Sequence, residues 1–268
     1  MKYWFWLLFI LMMPVNVQAK LITEPVEYKD KEALLKGYLA YDDSFQGKRP
    51  AILVVHEWKG LNDYTKKRAE QLARLGYVGF AVDMYGKGVV VKDHEEAGKL
   101  SGVYRNDRQL MRQRVNAAYE VLKKNPLADA ANIAAIGYCF GGTAVLEMAR
   151  AGINLKGVVS FHGNLETPVP AEPGAVKSKV LIMQGGDDPF AKPEQLVPFQ
   201  EEMRRAGADW QIVIFGGAVH SFTVPDAGSD PSKGAAYNEQ ADKRSWKIMK
   251  QFFKEIFPVA EPQKETPA

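Results

Sequence analysis

Short, unbroken apolar runs alternate with amphipathic segments along most of this sequence. Runs of this kind are typical of strands buried on both faces of a parallel sheet. We expect such strands at 34–40, 51–55, 77–82, 133–136, 157–161, 180–183 and 211–215. Helical spacing puts the apolar residues of 110–122 and of 241–256 on single faces, while Asp63 as N-cap and Gly76 as C′ residue bound another helix. Alternating strands and helices predict an α/β fold, a mostly parallel central sheet flanked by helices in three layers.

Side chains able to carry out chemistry stand directly after several of these strands. They are His56, Glu57, Cys139, His162, Asp188 and His220. Sites in parallel α/β sheets form beyond the carboxyl ends of the strands. We therefore expect these side chains to converge there.

The only cysteine in the chain lies within "GYCFGG", residues 137–142. The strand-to-helix context is that of a nucleophile elbow, G-x-S-x-G, with Cys139 in the serine position. Gly137 and Gly141 suit a sharp turn in which longer side chains would collide. The alternative is that Cys139 is a small buried apolar residue, a common fate of a free cysteine.

The order of three residues favours a nucleophile. Cys139, Asp188 and His220 follow separate strands in the order nucleophile, acid, histidine found in α/β-hydrolases. Pro189 restricts Asp188 to extended geometry, which favours it as the acid over Asp187. The alternative for His220 is an ordinary surface histidine.

A metal site is a further alternative for the histidines. One made from His56, Glu57, His162 and His220 is conceivable, but no close-spaced ligand pair supports it. His56 and His162 are expected to line or support a substrate cavity. His94, within "VKDHEEAGK", is expected to be solvated.

The first residues predict export. Residues 1–19 contain Lys2, an apolar run over 3–13, Pro14 and a small residue at Ala19, as in a cleaved signal peptide. The apolar run is shorter than the roughly twenty residues of a membrane span. We expect a periplasmic or secreted protein without stable membrane anchoring, with a domain over 20–258 and a disordered, proline-rich tail over 259–268.

The composition limits the kinds of partner that the protein is expected to bind. The formal net charge is +3, but basic residues are scattered and mostly alternate with acidic ones along helical segments. Nucleic acid is therefore not an expected partner. A single domain is the simplest count, and we expect a monomer that acts on a small molecule.

Five segments in order resemble the dienelactone hydrolase family of the α/β-hydrolase superfamily: "VVHEWKGLN", "GYVGFAVDMYG", "IGYCFGG", "MQGGDDPF" and "GAVHSF". The resemblance spans nearly the whole chain after residue 19. It implies an α/β-hydrolase fold, with Cys139 as nucleophile, Asp188 as acid and His220 as base. It also implies oxyanion N–H groups from Trp58 and Phe140, and no metal or organic cofactor.

The sequence departs from the family pattern at the position where a side chain would bind the substrate's carboxylate. Family members acting on dienelactones carry an arginine shortly after the histidine, whereas this chain reads "HSFTVPDAG". Uncharged aryl esters or lactones are therefore expected to be better substrates than carboxylated dienelactones. Arg105 or Arg108, from another loop, could replace the missing cation.

Glu57 stands where family members place a glutamate. A carboxylate near Cys139 disfavours the thiolate, so Glu57 is expected to keep the resting thiol protonated until substrate displaces it. The alternative is that Glu57 hydrogen-bonds the loop carrying Trp58.

Two functions follow from these residues. The first is a cysteine-dependent hydrolase of lactones or activated esters that forms a thioester acyl-enzyme. The second is a catalytically silent α/β-hydrolase domain that binds a small molecule or a protein partner, because fold alone does not determine activity.

Export is tested by the amino terminus of the mature protein. Cleavage after Ala19 leaves Lys20 as the first residue, which mass spectrometry of protein from its native host would detect. An intact Met1 recovered in the membrane fraction would contradict export as a soluble protein.

Overall fold

The computed structural model describes residues 20–257, in which eight strands form one sheet of order β1-β2-β4-β3-β5-β6-β7-β8. The strands are β1 (Leu21–Asp30), β2 (Ala33–Asp42), β3 (Arg49–Val55), β4 (Val78–Val82), β5 (Ala128–Tyr138), β6 (Gly157–Phe161), β7 (Lys179–Gly185) and β8 (Trp210–Phe215). The strands from β4 to β8 in this order pair in parallel, and β2 pairs antiparallel to β1 and β4. The predicted signal peptide and tail lie outside the described residues.

Six α-helices cover the two faces of the sheet within residues 20–257. They are α1 (Asp63–Ala73), α2 (His94–Asn106), α3 (Arg108–Lys123), α4 (Phe140–Arg150), α5 (Leu196–Arg205) and α6 (Glu239–Ile256). None of them is both long enough and apolar enough to cross a membrane.

Two hydrophobic cores, one on each face, confirm the predicted three-layer α/β architecture. Adjacent residues of β3 alternate between them: Leu53 packs towards α3 and α4, whereas Ile52 and Val54 pack towards α1 and α6. All three are completely buried. This explains why the central strands read as continuous apolar runs, since both of their faces are covered.

Strand β1 was not predicted from the sequence. It is an edge strand whose residues are mostly exposed or half-buried, and it contains Pro25. Proline is tolerated at a sheet edge because no ladder hydrogen bond is needed on the open side. A search for unbroken apolar runs therefore passes over it.

The predicted ends of α1 were each one residue away from the observed ones. Asn62 is the N-cap, and its side chain accepts a hydrogen bond from the Thr65 N–H. The C-cap is Arg74, so the predicted C′ residue Gly76, with φ of 91°, lies one residue beyond the observed C′ position. Gly76 still turns the chain into β4, because its left-handed conformation favours glycine.

Candidate active site

Cys139 occupies a sharp turn between β5 and α4. Its φ of 53° and ψ of −113° are strained for a residue other than glycine. A Cβ on Gly137 would lie 2.0 Å from the Gly141 carbonyl oxygen, and a Cβ on Gly141 would lie 2.2 Å from the Val55 oxygen. Only glycine at both positions lets helix, turn and neighbouring strand approach this closely. The turn has the backbone shape that "GYCFGG" predicts.

The turn presents Cys139 to a cavity of about 660 Å³. The residue is 8% exposed, so its sulfur is largely shielded but opens into this space. His220 lines the same cavity. The candidate nucleophile and candidate base thus meet at one site although 81 residues separate them in the sequence.

Asp188 binds His220 directly. Its Oδ2 accepts a hydrogen bond of 2.8 Å from His220 Nδ1, and its Oδ1 accepts the N–H groups of Phe190 and Ala191 at 2.8 and 3.2 Å. The Asp188 side chain is completely buried, whereas Asp187 is exposed. Of the two adjacent acids, Asp188 is the one that orients the imidazole.

His220 is held as a strong base. Burial alone would lower its pKa, but the charge of a Cys139 thiolate and the hydrogen bond and charge of Asp188 raise the pKa well above the usual histidine value. Because Asp188 occupies Nδ1, the other ring nitrogen remains to exchange a proton. His220 is therefore able to keep a proton taken from Cys139 at neutral pH.

The peptide N–H groups of Trp58 and Phe140 are candidate donors to a substrate oxygen. Both residues line the cavity beside Cys139. Within residues 20–257 neither N–H donates a hydrogen bond to a protein acceptor. The Trp58 carbonyl accepts a 2.7 Å hydrogen bond from the Tyr85 hydroxyl, which fixes the orientation of the following peptide.

His56 and His162 were expected to line or support the cavity, and neither of them lines it. Both are completely buried. His56 Nε2 accepts the Met84 N–H at 3.2 Å while its Nδ1 donates to the Glu57 carbonyl, and burial lowers its pKa to about 4. His56 therefore supports the turn that carries Trp58, without itself lining the cavity.

Glu57 lies against the loop that carries His220. Its Oε1 accepts a 3.0 Å hydrogen bond from the Ser221 hydroxyl, and Ser221 is itself strained, with φ of 55°. Burial raises the pKa of Glu57, while His220 and the Ser221 hydrogen bond oppose the rise. No hydrogen bond joins Glu57 to Cys139 in the described part of the chain, and the effect of Glu57 on the thiol stays a prediction.

Four basic side chains line the cavity: Arg105, Arg108, Lys192 and Lys233. No carboxylate from residues 20–257 lines it. Arg108 is the best anchored of the four, because its Nη2 donates to the Glu166 carbonyl at 3.3 Å and its Nε lies 4.0 Å from the completely buried Glu147. This charge argues against the expected preference for uncharged substrates.

Sequence reasoning missed part of this lining. Lys192 and Lys233 lie in loops with no recognisable motif, and His94 is exposed as expected but also lines the cavity, with its ring 5.3 Å from the Trp58 ring. Of these residues, only Lys192 could have been suspected from the sequence, because it lies four residues after Asp188. Across residues 20–257, no three His, Cys, Asp or Glu side chains are arranged to hold a metal ion.

Comparison with known proteins identifies the family of this chain. The sequence model of the dienelactone hydrolase family matches residues 35–257. The crystal structure of a dienelactone hydrolase-like promiscuous phosphotriesterase from metagenomic libraries is 39% identical, with a TM-score of 0.84, and the match covers 89% of this chain and 99% of that one.

Two relatives carry assigned names that describe lactone hydrolysis. A protein of Aquifex aeolicus named carboxymethylenebutenolidase is 26% identical over 240 residues, which are 85% of this chain and 96% of the relative. A Bradyrhizobium protein named 2-oxo-3-(5-oxofuran-2-ylidene)propanoate lactonase is 28% identical over 187 residues, 66% of this chain and 74% of the relative.

The ion pair between Asp188 and His220 is tested by titration of the imidazole. Asp188→Asn removes the charge that stabilises the imidazolium, so the pKa of His220 should fall. Asp187→Asn, its matched control at an exposed position, should leave this pKa unchanged. NMR titration of the histidine ring signals measures both. A lower pKa in the Asp187 variant alone would assign the acid to Asp187.

Proposed function

Because this chain belongs to the dienelactone hydrolase family and is an ester or lactone hydrolase, we propose that it cleaves carboxylated lactones or activated esters through a thioester on Cys139. Family membership decides against the alternative of a catalytically silent binding domain. The observation that carries the proposal is the shared cavity of Cys139, His220 and four basic side chains. On the predicted signal peptide, we place this activity outside the cytoplasm.

The first half-reaction joins substrate to sulfur. His220, oriented by Asp188, takes the thiol proton, and the Cys139 thiolate attacks the carbonyl carbon to form an S–C bond. When the tetrahedral intermediate collapses, the ring or ester C–O bond breaks and the leaving oxygen takes the proton from His220. A lactone stays attached as one ring-opened acyl chain.

The second half-reaction returns the enzyme. Water gives a proton to His220 and adds to the thioester carbon, and the S–C bond breaks to release the carboxylic acid product and re-form the thiolate. In both halves negative charge develops on the carbonyl oxygen. The Trp58 and Phe140 N–H groups are proposed to stabilise it, and such a donor contributes about 3 kcal/mol in comparable sites.

A cysteine nucleophile restricts the leaving group. Thiolate leaves a tetrahedral intermediate more easily than an ordinary alkoxide, so attack on a simple alkyl ester would mostly reverse. Enol lactones and aryl esters release a stabilised oxygen anion instead. The proposed substrates are therefore lactones or esters of this activated kind.

The charge of the cavity favours an anionic substrate. Arg105 lies at the end of α2, and Arg108 is the first residue of α3. Either guanidinium can bind a carboxylate through two N–H groups. The names of the two lactone-cleaving relatives both describe carboxyl-bearing compounds. Thr223, which stands near the position of the missing family arginine, is completely buried and unable to take that role.

Hydrolysis of phosphotriesters is a second candidate, favoured by the 39% identity to the metagenomic phosphotriesterase. The Cys139 thiolate would attack phosphorus, an aryloxide would leave, and water would cleave the S–P bond. A triester is uncharged, however, and makes no use of the four cations in the cavity. We therefore rank this activity second.

The nucleophile is tested by Cys139→Ala. Without the thiolate no thioester forms, so turnover of an aryl ester or enol lactone should fall by at least about 10³-fold while the fold is retained. Because the chain has one cysteine, alkylating the wild type with iodoacetamide is an independent control and should give the same loss. Normal turnover by fully alkylated protein would contradict the proposal.

Recognition of charge is tested at Arg108. Arg108→Gln should raise KM for a carboxylated enol lactone about tenfold or more, because a charge-assisted hydrogen bond is lost. The methyl ester of the same lactone should be little affected, and Arg108→Lys should retain part of the preference. Steady-state kinetics on the two substrates measures this. Equal effects on both substrates would show that Arg108 does not bind the carboxylate.

A further inference from the structure

His162 occupies a position between the nucleophile turn and the histidine loop without reaching the cavity. It follows β6 directly, is completely buried and has a left-handed backbone with φ of 40°. Both of its ring nitrogens are engaged: Nδ1 lies 3.1 Å from the Cys139 backbone nitrogen, and Nε2 lies 2.9 Å from Thr223 Oγ1.

The hydrogen-bond directions at His162 are fixed by its partners. A backbone N–H only donates, so Nδ1 accepts from the Cys139 N–H, which also donates to the Phe161 carbonyl at 3.0 Å, and the proton of the neutral ring is on Nε2. Nε2–H therefore donates to the Thr223 hydroxyl oxygen. Burial, together with nearby His220 and Arg68, lowers the pKa of His162 well below the usual histidine value, which keeps this tautomer neutral.

Thr223 is in turn held rigidly. Its Oγ1 also accepts a 2.8 Å hydrogen bond from the Tyr64 hydroxyl, and its carbonyl accepts one of 3.0 Å from the buried Arg68. Arg68 is paired with Asp242 of α6. The chain segment three residues after His220 is thus anchored to α1 and α6, and His162 links this anchor to the backbone of Cys139.

We propose that His162 is a positioning residue, which sets the distance between the Cys139 turn and the His220 loop through its two ring hydrogen bonds. The proposal rests on the roles given above to Cys139 and His220. The His162 ring lies edge-on to the His220 ring at 5.1 Å between centroids, so a shift of His162 would displace the imidazole as well as the thiol.

Simple core packing does not account for this arrangement. An apolar residue at this position would leave the Thr223 hydroxyl with one partner fewer and would disfavour φ of 40°, which only a few residue types tolerate. Asparagine tolerates that conformation and retains an acceptor near the Nδ1 position. His162→Asn is therefore expected to keep the bond to Cys139 and to remove the bond to Thr223 together with the ring contact to His220.

The experiment compares His162→Asn and Thr223→Val, which remove the same hydrogen bond from opposite ends, with their double variant. Thr223→Ser restores the hydroxyl, and Tyr64→Phe is a control that removes the other hydrogen bond to the same oxygen. For each protein we measure KM, and kcat expressed per titrated thiol. The rate of Cys139 alkylation by iodoacetamide is measured from pH 5 to pH 9.

If His162 positions the two groups, kcat of each single variant falls about 10- to 100-fold, as for a displacement of about 1 Å, while KM stays within about twofold. The double variant is no worse than either single one, and Thr223→Ser and Tyr64→Phe stay within about threefold of the wild type. Alkylation at pH 6, which requires His220 to take the thiol proton, slows relative to alkylation at pH 9.

Two results would overturn the proposal. One is an unchanged alkylation profile with normal kcat per titrated thiol, which indicates a role in stability alone. The other is additive losses in the double variant, which indicates that the His162 to Thr223 bond is not the cause. If His162→Asn does not fold, the pair Thr223→Val and Thr223→Ser decides alone. Alkylation needs no substrate, so this test stands even if Cys139→Ala refutes the proposed hydrolysis.

Discussion

The close approach of backbone at the Cys139 turn is the constraint on which the site depends. Gly137 and Gly141 allow β5, α4 and the end of β3 to come within contact distances that no side chain would permit. Cys139 is left with a positive φ and with its sulfur facing the cavity. The packed sheet and helices on both sides maintain this strained conformation, since strain at one residue is small beside the burial of two cores.

Three histidines around that turn have different electrostatic roles: His56 and His162 are completely buried, whereas His220 is partly exposed. His220 is paired with the completely buried Asp188 and has a raised pKa, whereas His56 and His162 form no ion pair within residues 20–257 and have pKa values lowered by burial. The first is suited to exchange protons. The other two are suited to hold backbone in place as neutral hydrogen-bonding groups.

The sequence was sufficient for the layers, the central strands and the convergence of Cys139, Asp188 and His220, because burial on both faces and glycine-flanked turns leave local patterns. It was insufficient for β1, whose alternation is interrupted at an exposed edge. It also did not identify the partners of His162 and Glu57, because Thr223 and Ser221 are 61 and 164 residues away and no local pattern encodes such contacts. Lys192 and Lys233 were missed for the same reason, whereas Arg105 and Arg108 were expected as candidate cations.

The central claim is that the acyl group passes through the Cys139 sulfur. A single turnover of an activated aryl ester with enzyme in excess, stopped by acid at successive times and digested, locates the acyl group by peptide mass. The account predicts a transient acyl mass on the peptide containing Cys139, appearing together with release of the aryl alcohol and decaying as the acid is formed. Acyl mass on a different residue, such as Ser221, with the Cys139 peptide unmodified throughout, would contradict it.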